Sequence, residues 1–250
     1  MIHKTKNGIS WLEFKILQGY PLDHAYFLKH GGVSPVPYGL NFSEKNGDDL
    51  LHVERHLVLI KEIIQAKGVV RSALVHGNTV AVVQDAGVPY ALEADGLITA
   101  VGDLMLMTTF ADCQCTLLYD PKNHVAANVH AGWRGNVCNI YREAVTKLKD
   151  AFGTKPSDII AGVGPSLGPN HAQFLNYRTE MPAAFLKYMR GECHFDLWEI
   201  AREQLEEEGV LPGNIEIAGI CTYTEKEDFF SYRREKITGR HAGVIKLHPK

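Results

Sequence analysis

LMLMTTFADCQCTLLYDPKNHVAANVHAGWRGNVCNIYREAVTKLKDAF, residues 104–152, is the stretch whose reading decides the fold. Three β-rich runs, near 104–110, 115–119 and 124–130, follow in close order. The link 119–124, rich in Asp, Pro and Asn, is too short for a crossover, so it predicts a hairpin and antiparallel pairing. Beyond it, Val137, Ile140, Ala144, Val145 and Leu148 recur at helical spacing from about Asn136 to Phe152, and Gly153 supplies the stop. A hairpin beside an amphipathic helix predicts an α/β architecture: a layered sandwich of mixed β-sheet with flanking helices. Working outward, Leu50, Val53, Leu57, Ile60 and Ile64 predict a helix from Asp48 to Gly68, with Asp48 and Asp49 at its N-terminus. Another helix is expected from Phe195 to Glu208. Further strands are expected near 71–76, 79–84, 158–163, 215–220 and 242–247, and the short link 76–79 reads as a second hairpin. With no repeat, low-complexity stretch or linker, one domain over 1–250 is the expectation.

Composition narrows the function classes. The chain has 250 residues, 45% of them hydrophobic, enough for a large core. Net charge is −3, and the tight basic clusters are only Tyr232-Arg233-Arg234 and Gly239-Arg240-His241. Nucleic acid is therefore not expected as a partner. No apolar run nears the ~18 residues that span a bilayer, and Met1-Ile2-His3-Lys4-Thr5-Lys6-Asn7 lacks the apolar segment of a signal peptide. A cytoplasmic protein with no membrane partner, monomeric or a small homo-oligomer, is expected. Five cysteines, an odd number, read as free thiols rather than a disulfide framework.

His76, Cys113 and His130 each sit where a strand run meets turn chemistry: His76-Gly77-Asn78, Ala111-Asp112-Cys113 and His130-Ala131-Gly132. Strand ends followed by turns present reachable side chains on a fixed frame. Two imidazoles and a thiolate suit Zn2+, and three protein ligands leave a fourth position for water. Taken singly, each is a packed strand-end residue; their coincidence raises the metal reading. His52 and His56, four apart, fall beside the apolar stripe of their helix and read as solvated flank residues, and His171 reads as a loop residue. Arg134, Arg233, Arg234 and Arg240 are the candidates for anion binding, since a guanidinium fork matches phosphate.

The strings His76-Gly77, Glu93-Ala94-Asp95-Gly96-Leu97-Ile98-Thr99, Ala111-Asp112-Cys113, His130-Ala131-Gly132-Trp133-Arg134-Gly135, Gly164-Pro165-Ser166-Leu167-Gly168-Pro169, Ser231-Tyr232-Arg233-Arg234 and Thr238-Gly239-Arg240 resemble those of the laccase-domain family. The similarity runs in order from Gly39-Leu40-Asn41 to Arg240. Members of that family are described both as multicopper polyphenol oxidases and as purine nucleoside phosphorylases with adenosine deaminase activity. The resemblance implies a mixed-sheet α/β sandwich and one Zn2+ on His76, Cys113 and His130, with Cu2+ as the other candidate ion. It also implies purine nucleosides and phosphate as substrates: phosphorolysis of adenosine, inosine and methylthioadenosine to free base and ribose 1-phosphate, and deamination of adenosine. Asp112 and Asp95 are candidates for moving a proton, and Asn41 and Ser166, within matching strings, join the arginines as candidates for binding substrate.

Two departures stand out. Cys115 occupies a position where the family usually has proline, and Ala172-Gln173 stands where it usually has an aromatic-glutamate pair. Residues 113 and 115 of a strand share a face, so Cys115 is either a second thiol near the metal or a small buried hydrophobe. Two other chemistries remain open at this stage. None of the 12 histidines is spaced two from another, and a lone copper cannot deliver the four electrons that dioxygen reduction takes, which ranks a copper oxidase second. A metal-free hydrolase with Cys113 as nucleophile ranks third.

Overall fold

A computed structural model describes residues 1–85, 87 and 90–250. Strands β1 (Ile2–Lys6), β2 (Ile9–Glu13) and β3 (Leu22–Phe27) precede helix α1 (Leu50–Ile64). There follow β4 (Gly68–Ser72), β5 (Val80–Val83), β6 (Ala91–Leu92), β7 (Gly96–Thr99), β8 (Leu104–Phe110), β9 (Gln114–Asp120) and β10 (Val125–Ala131). Helices α2 (Trp133–Val137) and α3 (Ile140–Phe152), then β11 (Ile160–Val163), α4 (Tyr177–Glu180) and α5 (Leu197–Glu207), lead to β12 (Ile215–Ile217), α6 (Tyr232–Glu235) and β13 (His241–Leu247).

Among the described residues these strands form two mixed sheets, ordered β1-β2-β3-β13-β8-β4-β6 and β12-β11-β9-β10-β7-β5. The parallel pairs are β4 with β6 and β8, β5 with β7, and β11 with β12; the others are antiparallel. Period-two alternation explains the stacking. On β9, Cys115, Leu117 and Tyr119 point into a shared core with Tyr26, Leu106, Phe110 and Ile245 of the other sheet, while Leu118 faces the opposite side. That opposite side packs on α3 through Ile140, Ala144, Val145 and Leu148, and on α5 through Ala201 and Leu205. The outer face of the first sheet takes Ile60 and Ile64 of α1 against Met105, Met107 and Val244. The result is four layers, helix–sheet–sheet–helix, the sandwich expected from residues 104–152.

Three local expectations need correcting. The link 119–124 closes the β9–β10 hairpin, with Asp120 opposite Val125. The link 76–79 does not: β4 and β5 lie in different sheets, so this segment crosses the core. The helix expected over 136–152 is broken after Cys138, where Asn139 adopts a left-handed backbone at φ 51° and its side chain caps the amide of Arg142. His56 is not a solvated flank residue. It is fully buried, its Nε2 accepting from the Val33 amide and its Nδ1 donating to the Asn41 carbonyl, because the loop between β3 and α1 folds over that side of the helix.

Candidate metal centre

The core layer between the sheets opens at one end, and there the crossing segment 73–79 meets the turn after β8 and the end of β10. On β10, Val125, Ala127, Val129 and Ala131 face the helices; Ala126, Asn128 and His130 alternate to the inner side. Asn128 ties the sheets together, donating to the carbonyls of Leu106 and Gly243. Two residues further, His130 reaches the open end.

His76, Cys113 and His130 converge so that one donor atom from each lies within 4.8 Å of the others. The two imidazoles meet edge to face, ring centroids 5.1 Å apart. His130 is buried, Cys113 half-buried and His76 exposed, so the cluster is anchored on one side and accessible on the other. Asp95 organises it. Its carboxylate takes the Nδ1 proton of His130 at 3.1 Å and accepts the backbone amides of His76 and Gly77 at 3.0 and 2.8 Å. This leaves the other nitrogen of His130 facing Cys113, the carboxylate–histidine arrangement that fixes a metal-binding tautomer. The same bonds hold His76 at φ 59°, a left-handed conformation that costs a non-glycine residue about 1–2 kcal/mol. Gly132 completes the cradle: a Cβ there would lie 3.3 Å from the Cys113 sulfur, 3.6 Å from His76 and 3.8 Å from His130. A soft-and-borderline N,N,S donor set with space kept clear beside it fits one zinc or copper ion.

The electrostatics agree with that geometry. Burial lowers the basicity of His130, but the neighbouring Cys113 sulfur and Asp95 carboxylate outweigh it, and its pKa is raised to about 9. His76 is lowered, by burial first and then by the like charges of His130, Arg134 and Arg240. Asp95 pays its burial back through the His130 and amide hydrogen bonds and ends below the usual carboxylate range.

The cluster lines a cleft of about 830 Å³ whose wall also includes Tyr90, Tyr232 and Arg240. Of the four candidate arginines, Arg240 is the one on that wall. It lies 5.4 Å from the Tyr232 ring, donates to the carbonyls of Thr238 and Gly239, and burial lowers its pKa. Arg134 lies 4.1 Å over the Trp133 ring, and Arg233 donates to the Gln173 carbonyl. Arg234 is engaged by the carbonyls of Thr222, Tyr223 and Phe229 and by Glu235, and acts as a strut. Asp112, at φ 93°, turns its carboxylate to the Thr222 hydroxyl and the Arg233 amide, fixing α6 beside the cleft. Asn41 is fully buried; its side chain bonds Ser43, Asn46, Asp48 and the Arg240 amide, building the cleft's rim loop. Ser166 is buried and accepts from the Trp198 indole. Cys115 is fully buried, donates to the side-chain oxygen of Asn128, and burial pushes its thiol up, which makes it a core residue rather than a second ligand. Sequence reading missed Arg71 and Glu44 on the cleft wall. The signal was there: a lone charge directly after the valine pair Val69-Val70.

Fold and site together define an α/β sandwich with a His-Cys-His cluster open to a substrate-sized cleft. Residues 23–248 match the family described as multi-copper polyphenol oxidoreductase laccase, and the chain belongs to that family. A purine nucleoside phosphorylase of Bacteroides thetaiotaomicron is 31% identical over 99% of this chain and 100% of its own. Purine nucleoside phosphorylase YfiH of Shigella flexneri is 34% identical, over 87% of this chain and 90% of its own. Among solved structures, YlmD of Geobacillus stearothermophilus superposes with a TM-score of 0.88 at 26% identity, covering 98% of both chains. Among the described residues no helix is long and apolar enough to cross a membrane.

Proposed function

We propose that this protein is a zinc-dependent purine nucleoside phosphorylase acting on adenosine, inosine and methylthioadenosine. The observation that carries the reading is the meeting, in one cleft, of the His76–Cys113–His130 cluster with Arg240 and the tyrosine rings; the names of the relatives supply the substrate class. A zinc ion on the cluster would supply Lewis acidity toward an oxygen and draw the pKa of water toward 7.

The chain's own residues provide the rest. Arg240 presents guanidinium N–H groups beside the cluster, where a phosphate can be held against C1′ of the ribose. Tyr90 and Tyr232, both partly exposed on the cleft wall, offer flat apolar surface to a purine. Phosphorolysis breaks the C1′–N9 bond and forms a C1′–O bond to phosphate, and the departing base takes a proton. Asp95 keeps the two histidines in place throughout, and Asp112 holds α6, and with it Tyr232, at the rim.

Hydrolytic deamination of adenosine is the second reaction proposed for the same cluster. The copper-oxidase reading is not favoured: among the described residues the cluster brings together three ligands for one ion, fewer than dioxygen reduction by several coppers takes. The test is direct. Protein purified without added metal is assayed for zinc and copper, then given adenosine or inosine with and without phosphate, and the products are separated by chromatography. Phosphate-dependent adenine release supports phosphorolysis, and inosine formation supports deamination. Neither product, with phenol oxidation in a copper-loaded sample, would overturn the proposal; activity that survives chelation but not thiol alkylation would favour a cysteine hydrolase.

A further inference from the structure

The cleft has a second cationic pole. Arg71 lies near the end of β4, five residues before His76, so the two Cα atoms are at most roughly 17 Å apart. Its guanidinium donates to Glu44 Oε1 at 2.6 Å and lies 5.7 Å from the centroid of the Tyr90 ring. The Arg71 side chain is 11% exposed, against 45% for Glu44. Lys45, next to Glu44, and Lys236 line the same cleft, so with Arg240 four cations meet one carboxylate there, in a chain of net charge −3.

That imbalance is built in rather than incidental. The rim loop carrying Glu44 and Lys45 is held by Asn41, which bonds the Ser43 carbonyl at 2.9 Å and Asn46 at 3.2 Å, so the pole is preorganised. A guanidinium has five N–H donors; Glu44 takes one and the Tyr90 hydroxyl lies within reach of another, which leaves donors for an oxyanion. Arg240, beside the metal ligands, suffices for the attacking phosphate. A second group of cations lining the same cleft matches a phosphoryl group carried by the substrate itself.

We propose that Arg71, with Lys45, binds a phosphoryl group carried by the substrate, making a purine nucleoside 5′-phosphate preferred over the free nucleoside. This rests on the purine nucleoside reading of the cleft. Phosphorolysis of such a substrate exchanges the C1′–N9 bond for a C1′–O bond to inorganic phosphate, whose proton passes to the departing N9; it gives the neutral free base and ribose 1,5-bisphosphate and leaves the 5′-phosphate bonds untouched. Glu44 is a positioning residue that orients Arg71 and competes with the ligand for it.

Equilibrium dialysis of the zinc-loaded chain against adenosine 5′-monophosphate, adenosine, ribose 5-phosphate and inorganic phosphate, each alone, tests the assignment. Adenosine 5′-monophosphate is expected to bind at least ~10-fold tighter than adenosine. Arg71→Ala should erase that advantage while adenosine binding stays within about twofold, and Glu44→Gln should tighten nucleotide binding about threefold or more. If Arg71→Ala is not folded by circular dichroism, Lys45→Ala and Glu44→Gln carry the test with their opposite expected signs. No nucleotide advantage, an equal loss for nucleotide and nucleoside, or a pole that Arg71→Ala shows to serve only free phosphate would each overturn the proposal. Arg71-dependent binding of ribose 5-phosphate together with absent phosphorolysis would instead sink the proposed reaction and keep the subsite; phosphorolysis of adenosine without Arg71-dependent binding would do the reverse.

Discussion

His130 and His241 are both buried strand residues on the inner side of the sandwich, yet they are set up in opposite ways. His241, at the start of β13, has both nitrogens committed to the backbone: one accepts the Phe230 amide, the other donates to the Phe27 carbonyl. Burial drives its pKa down to about 3. His24, on β3, has one nitrogen tied to the backbone, accepting the Phe14 amide, and burial brings it to about 4. His130 has one nitrogen on the Asp95 carboxylate and the other turned to Cys113, and it is raised to about 9. Burial is common to all three; the partner decides whether the ring is a neutral strut or a group waiting for a cation. The two thiols repeat the contrast two residues apart, Cys113 in the turn before β9 at the cleft and Cys115 on β9 sealed in the core.

The contrast breaks first at Cys113. Cys113→Ala should lower phosphorolysis by ~10³-fold or more, read as adenine release, with the thermal midpoint of the metal-free protein nearly unchanged. The next effect belongs to the struts. The unfolded chain protonates His24 near pH 6.5, the fold only near 4, so between those values the unfolded state binds more protons and stability falls as pH falls. That contribution is complete above about pH 6.5 and amounts to about 3 kcal/mol lost by pH 4. His24→Gln should flatten the pH dependence of denaturant midpoints by this amount; an unchanged slope would show that His24 is no strut. Third, Asp95→Asn should weaken metal affinity ~10–100-fold, measured by competition with a chelator, because the tautomer of His130 is no longer fixed. Smallest, Cys115→Ala should cost about 1–2 kcal/mol of unfolding free energy, from a small cavity and an orphaned Asn128 oxygen, with activity retained.

How much of this was legible in the chain depends on what each signal encodes. The candidate cluster was legible because Cys113 and His130 stand at strand ends and all three residues sit beside turn chemistry, although β4 ends at Ser72 and leaves His76 in the crossing segment rather than at a strand end. The hairpin at 119–124 was legible because its length excludes any other link. The 76–79 link misled because a tight turn and a crossing between sheets have the same flanking apolar runs; what separates them is which core each strand faces, a non-local fact. His56 was misread for a similar reason: helical periodicity places it beside the stripe, but the loop that covers it comes from residues 33–41. A guanidinium in sequence looks alike whether it caps carbonyls, as Arg234 does, or lines a cleft, as Arg240 does. Arg71 was readable too, as a charge that follows two valines inside a strand.

Metal stoichiometry by elemental analysis of the wild-type chain, Cys113→Ala and Cys115→Ala, purified identically without added metal, tests the central contrast most directly. One zinc per chain in the wild type and in Cys115→Ala, with none in Cys113→Ala, is the expected result. A full ion retained by Cys113→Ala, or lost from a folded Cys115→Ala, would contradict it.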